Sequence, residues 1–150
     1  MLVLEKRMTV DESNKHIKFP FYVNGGAKRM EICFSFSPKN IQEKEYSKKL
    51  LYEGLKKYMP ESKDIGNIDI DKYLPLKNLL TISLDAPSGK YAGAAHRHSE
   101  SQKHIISEDF SSPGFFPIKI EEGEWTIVVT SFLAQQSGVC FYLSVDLLCE

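Results

Sequence analysis

The sequence predicts an all-β fold, two antiparallel sheets packed as a sandwich. Two observations carry this. Apolar residues recur with period two in four separate stretches, and clusters of Gly, Pro, Asn and Ser stand between the stretches. Side chains at i and i+2 point to one face of a strand, so each stripe is a core face and its alternate set a wetter face. Uneven loop lengths favour an open, jelly-roll-like sandwich of about eight strands over a closed barrel.

The elements follow in order along the chain. Leu2–Val10 is a first strand candidate. Ile17, Phe19, Phe21 and Val23 then alternate with His16, Lys18, Pro20 and Tyr22. Asn24-Gly25-Gly26 has hairpin length and chemistry, joining this strand to the stripe Met30, Ile32, Phe34 and Phe36. One segment then breaks the period. Between Ile41 and Met59, Leu51, Leu55, Tyr58 and Met59 recur at helical spacing among Glu and Lys. Asn40, after Pro38, is the expected N-cap and Pro60 the stop; Gly54 weakens the run. The amphipathic helix and the loop Pro60–Lys77 together form an insertion over about residues 40–77, too long for a simple strand connection.

Strand character returns at Leu79–Asp85, with the turn Ala86-Pro87-Ser88-Gly89 behind it. Lys103–Ser107 and Phe115–Ile120 are weaker strand candidates, the latter bracketed by Ser111-Ser112-Pro113-Gly114 and Glu121-Glu122-Gly123. Trp125, Ile127 and Val129 share a face. Val139, Phe141, Leu143, Val145 and Leu147 make the longest stripe.

Length and composition fit this picture. The 150 residues suffice for one domain, 1–150, with 42% hydrophobic and 26% charged residues. A net charge of -1 lacks the basic excess of a nucleic-acid binder. Charge appears at Glu5, before any apolar signal region could form, and no run approaches the ~20 apolar residues of a membrane span. A cytoplasmic, membrane-free protein is expected. The odd set Cys33, Cys140 and Cys149 is no disulfide framework, and reduced thiols are expected.

Chemistry is sparse. His96-Arg97-His98 would place two imidazoles on one face of an extended segment, roughly 6–7 Å apart, with His104 able to join across a turn. Three His around one ion with an open position is catalytic zinc geometry, so a small metal-dependent hydrolase is one reading. The bland alternative is a polar loop, since no Cys lies near the cluster and His104 must turn back across Ser99-Glu100-Ser101-Gln102. Asp64, Asn67, Asp69 and Asp71 offer oxygen ligands but not the EF-hand spacing, and read as a solvated turn. The nucleophile elbow, the P-loop and the dinucleotide fingerprint are all absent. Tyr22, Tyr91, Phe132 and Tyr142 fall off the core stripes, and exposed rings can stack on sugars.

A family pattern runs through the same residues. Leu79-Leu80-Thr81-Ile82-Ser83-Leu84-Asp85-Ala86-Pro87-Ser88-Gly89 is a strand with a Pro-Ser-Gly turn. Ser112-Pro113-Gly114-Phe115-Phe116-Pro117 and Gly123-Glu124-Trp125 follow, and Ile17 to Val23 and Ser35 to Pro38 precede. This order resembles the small β-sandwich module that precedes the hydrolase domain in CehA/McbA-like proteins of the PHP superfamily. That family's Arg-Gly-Trp-Ser-like element is replaced by Tyr91-Ala92-Gly93-Ala94-Ala95, and the metal-binding hydrolase domain is absent from the sequence. The resemblance implies a β-sandwich with a non-catalytic role, binding a ligand or partner accessory to a PHP-type hydrolase. Its contacts are expected along the loop-rich edge from Tyr91 to His104, namely Tyr91, His96, Arg97, His98, Gln102 and His104, toward a small polar or carbohydrate ligand or the hydrolase itself. No cofactor, catalytic residue, resident metal or nucleic acid is expected with it. A purely structural interaction or oligomerisation domain is the third reading.

Overall fold

The computed structural model describes residues 1–58, 69–96 and 99–150. Among them, eight strands form two four-stranded antiparallel sheets with one inserted α-helix. The strands are β1 (Leu2–Val10), β2 (Lys15–Val23), β3 (Arg29–Ser37), β4 (Leu79–Asp85), β5 (Tyr91–Ala95), β6 (Ser101–Ser107), β7 (Gly123–Leu133) and β8 (Val139–Leu148); helix α1 is Lys44–Tyr58. One sheet has the order β1-β8-β3-β6 and the other β2-β7-β4-β5, the strand order of a jelly roll. A short 3-10 turn, Ile70–Tyr73, precedes β4.

The period-two stripes fill the space between the sheets. Met30, Ile32, Phe34 and Phe36 of β3 and Val139, Phe141, Leu143, Val145 and Leu147 of β8 face Phe19 and Phe21 of β2, Trp125, Ile127 and Val129 of β7, and Leu80, Ile82 and Leu84 of β4; all are buried. Phe19 meets Phe141 across the gap edge-to-face, with ring centroids 6.1 Å apart.

Three expectations change. Asn24-Gly25-Gly26 is not a hairpin turn, because β2 pairs with β7 while β3 pairs with β6 and β8. Both stripes bury equally well whether the chain turns within a sheet or crosses to the facing one, and here it crosses. Among the described strands, only β4 and β5 are sequence neighbours that pair, through the turn at Ala86–Gly89. Phe115–Ile120 is not a strand; Phe115 alone bridges to Gly93. Tyr91–Ala95 is a strand although it carries no alternation, because small residues let the backbone of residues 114–116 approach its edge.

That approach belongs to a larger arrangement. The connection from β6 to β7 lies along the outer edges of both sheets on one side of the sandwich. Ser112 N–H donates to Ile105 O (2.8 Å) and Ile118 N–H to Ser107 O (2.9 Å) along β6. Ala94 N–H donates to Gly114 O and Phe116 N–H to Ala92 O, each 3.0 Å, along β5. Unpaired edge strands invite association, and this cover removes much of that exposure along β5 and β6.

The insertion is rooted by a buried polar hub. Asn78 donates from Nδ2 to Pro38 O (2.8 Å) and accepts at Oδ1 from Gln135 N–H (3.0 Å). Gln135 Oε1 accepts from Gln42 N–H (3.0 Å), and its Nε2 donates to Ser137 Oγ (2.8 Å). Asn40 bridges to Lys77, and Ile41 N–H donates to Leu76 O (2.7 Å). Residues 40–42 are therefore tied to neighbouring main chain and the Gln135 side chain, which is why α1 begins at Lys44 and Asn40 does not cap it. Leu51 and Leu55 are half-buried, as the helical stripe requires; Met59 and Pro60 lie outside the described residues.

Glu43 completes the root. Its Oε1 accepts from Ser137 N–H at 2.8 Å. The Ser137 hydroxyl, then the Ser137 and Glu43 main-chain donors, hold its carboxyl below the ordinary value of 4.5 against the opposing effect of burial. A group whose folded pKa is depressed stabilises the fold above its unfolded pKa, and that stability is lost as the pH falls through the folded value. Glu43→Gln should therefore be less stable than the parent above the ordinary carboxyl value of 4.5, and converge with it as the pH falls through the lower folded value. Urea midpoints measured across that range test this; a pH-independent difference would contradict it.

Candidate functional site

The described histidines of the predicted cluster are held by different sheets. His96, exposed just after β5, packs its ring 6.1 Å from that of Phe132 on β7. His104 sits on β6, buried at 3% exposure, with its ring 5.0 Å from Phe115. Arg97 and His98 lie outside the described residues, as do Asp64 and Asn67 of the acidic loop. Asp71 of that loop is 4.0 Å from Lys48 of α1. Among the described residues no three His, Cys, Asp or Glu side chains converge as a metal site, and no helix is long and apolar enough to cross a membrane. All three cysteines are free.

What the structure does bring together is Gln102 and His104. β6 alternates so that Gln102, His104 and Ile106 are buried while Ser101 and Lys103 are exposed. Two polar side chains thus occupy core-facing positions, which is costly unless each finds partners. They find each other, with His104 Nε2 and Gln102 Oε1 2.9 Å apart. Gln102 Nε2 donates to Ser99 O, also at 2.9 Å. A carbonyl only accepts, so the amide must present its oxygen to His104, and His104 must donate from Nε2.

The pair opens on a cleft of about 230 Å³ lined by Ser99, Ser101, Gln102, Lys103, His104 and Ser112, with Pro113 at its end. The cleft is a gap in the edge cover. Phe36 N–H donates to Glu100 O (2.9 Å), so Glu100, Gln102, His104 and Ile106 exchange hydrogen bonds with β3, and the residues between them direct theirs to the edge. Ile105 is served there by Ser112, whose N–H and Oγ both bond it, and Ser107 by Phe110 and Ile118. Ser101 O accepts from Ser99 Oγ (2.9 Å). At Lys103 the covering segment has already turned toward β5, and no described group pairs with its N–H or C=O. The Lys103 ammonium is turned to Glu31, 3.3 Å away on β3. Its main chain, not its charge, therefore faces the cleft.

Tyr91 is half exposed on β5, edge-to-face against Phe116 with centroids 6.1 Å apart, and it does not line the cleft. Neither does His96. Sequence reading missed Ser112 and the Lys103 main chain. The Ser112-Pro113-Gly114 turn marks where the cover leaves β6, but only strand pairing shows which carbonyls it leaves open.

No family model and no curated protein sequence matches the chain.

Proposed function

We propose that the protein is a non-catalytic binding module, accessory to a PHP-type hydrolase, that holds a small polar ligand in the cleft on β6. One observation carries the reading: a buried, mutually hydrogen-bonded Gln102–His104 pair opens beside the only residue of β6 between Ser101 and Ser107 whose edge-directed N–H and C=O have no described partner. Adjacent donor and acceptor groups on a rigid strand match an amide or a pair of hydroxyls, and the cleft's size limits the ligand to a few heavy-atom groups. The association with a hydrolase rests on the sequence resemblance alone. The exposed Tyr91–Phe116 pair supplies an aromatic surface suited to a protein partner.

A ¹H–¹⁵N titration with N-acetylglycinamide and, separately, methyl glucoside tests the ligand site. Saturable shifts at the Lys103 and Ser112 amides are expected with at least one probe, weakened about tenfold in Gln102→Ala, as loss of a polar anchor on a bound group predicts. Absence of saturable shifts at both amides would refute it.

A further inference from the structure

A second site lies on the outer face of the β1-β8-β3-β6 sheet, away from the core pair Gln102–His104. The register aligns Arg7 with Tyr142, Tyr142 with Ser35, and Ser35 with Ser101, one row across all four strands. Over this row is a hollow of about 390 Å³ lined by Arg7, Ser35, Ser37, Glu100, Ser101 and Tyr142, among others. That volume is within the range of small-molecule sites, which begin near about 300 Å³.

The Arg7 end of the hollow is preorganised. Tyr142 Oη donates to Glu5 Oε2 (3.1 Å), which fixes the ring. The Arg7 guanidinium carbon lies 4.5 Å above the ring centroid. Stacking occupies the face of the guanidinium and leaves its in-plane N–H groups available, the groups that grip a carboxylate with two parallel hydrogen bonds. Arg7 makes no ion pair among the described residues. From there the row runs through the hydroxyls of Ser35 and Ser101, with Ser37 beside it, and these both donate and accept.

We propose that this hollow binds a small hydroxylated carboxylate of the sugar-acid class. Its carboxylate lies on Arg7 and its hydroxyls on Ser35, Ser37 and Ser101. The charge at one end and the hydroxyl lining along the rest favour this class over a neutral sugar, which would leave the guanidinium unanswered, and over a zwitterion, whose ammonium would find mainly serines. Most of these residues stand on sheet strands, so little ordering is needed on binding.

Calorimetric titration of the intact protein with glucuronate, glucose and glycylglycine decides the matter. Glucuronate should bind saturably, with glucose at least about tenfold weaker and binding falling with added salt. Arg7→Gln should weaken glucuronate at least about tenfold, and Ser35→Ala, a milder change, by about threefold. Amide shifts on adding glucuronate should appear at Arg7 and Ser35 and not at Ser112, which lines only the cleft on β6, and this separates the two sites. Equal binding of glucose, tighter binding of glycylglycine, or unchanged affinity in a folded Arg7→Gln protein would each overturn the proposal.

Discussion

Gly93→Ala is expected to cost about 3 kcal/mol or more, although it adds one methyl group. Gly93 has φ +116°, a conformation that L side chains rarely adopt. A Cβ there would overlap Gly114 O and the Phe115 Cα. The converse holds on the covering segment, where a Cβ on Gly114, at φ +94°, would overlap Ala94 O. All these obstacles are main-chain atoms, so no rotamer change relieves them. The backbone must separate, and the Ala94–Gly114 and Phe116–Ala92 hydrogen bonds that seal the β5 edge go with it. Gly26→Ala is the control, because Gly26 also has positive φ but nothing lies near its added methyl. It should lose only the conformational part, about 1 kcal/mol. Chemical denaturation of both variants tests the argument, and equal losses would show that strain alone matters and the close approach does not. Should Gly93→Ala fail to accumulate folded, Gly114→Ala must fail likewise.

Trp125→Ala should cost about 3–5 kcal/mol, the usual range for deleting a buried large aromatic. The ring has no solvent exposure. It stands directly across the strand pair from Phe21, at the start of the β7 stripe with Ile127 and Val129. Its Nε1–H donates to Glu121 O (2.9 Å), so the mutation both opens a cavity and strips a partner from that carbonyl. Trp125→Phe keeps most of the volume and loses the hydrogen bond, and should fall between the two. A loss below about 1 kcal/mol for the alanine variant would contradict the packing described.

The strands that the sequence marks clearly are those with long stripes: β3, β7 and β8, whose burial alternates almost without fault. Period two is a local property, and local properties are legible. Pairing is not local, which is why Asn24-Gly25-Gly26 reads as a hairpin while the chain there changes sheets. β5 escaped because its residues are small: Ala92, Gly93, Ala94 and Ala95 were selected by what lies against them, not by their own periodicity. On β6 the inward set, Gln102, His104 and Ile106, is less apolar than a stripe should be, so His104, though on a strand candidate, read as part of a binding edge and not as an inward residue. Its inward turn depends on Gln102 and on Phe115, which arrives from the covering segment. The Asn78–Gln135 hub and the Arg7–Tyr142 stack join residues far apart in sequence, and nothing near either partner announces the other. Of the anticipated site residues, Gln102 and His104 meet at one cleft, whereas Tyr91 and His96 pack against other rings.

The strand order also carries a kinetic consequence. β8, Val139–Leu148, lies between β1 and β3 and pairs with both. During synthesis, at roughly 5–20 residues per second, β1 emerges first and must wait several seconds for its partner. Only β4 and β5 can close a hairpin as soon as they leave the ribosome. β3 can pair with β6 earlier, but its other edge, like that of β1, stays open until β8 arrives. Refolding of the full-length chain should be correspondingly slow, on the order of milliseconds to seconds, as for other folds built on non-local pairing.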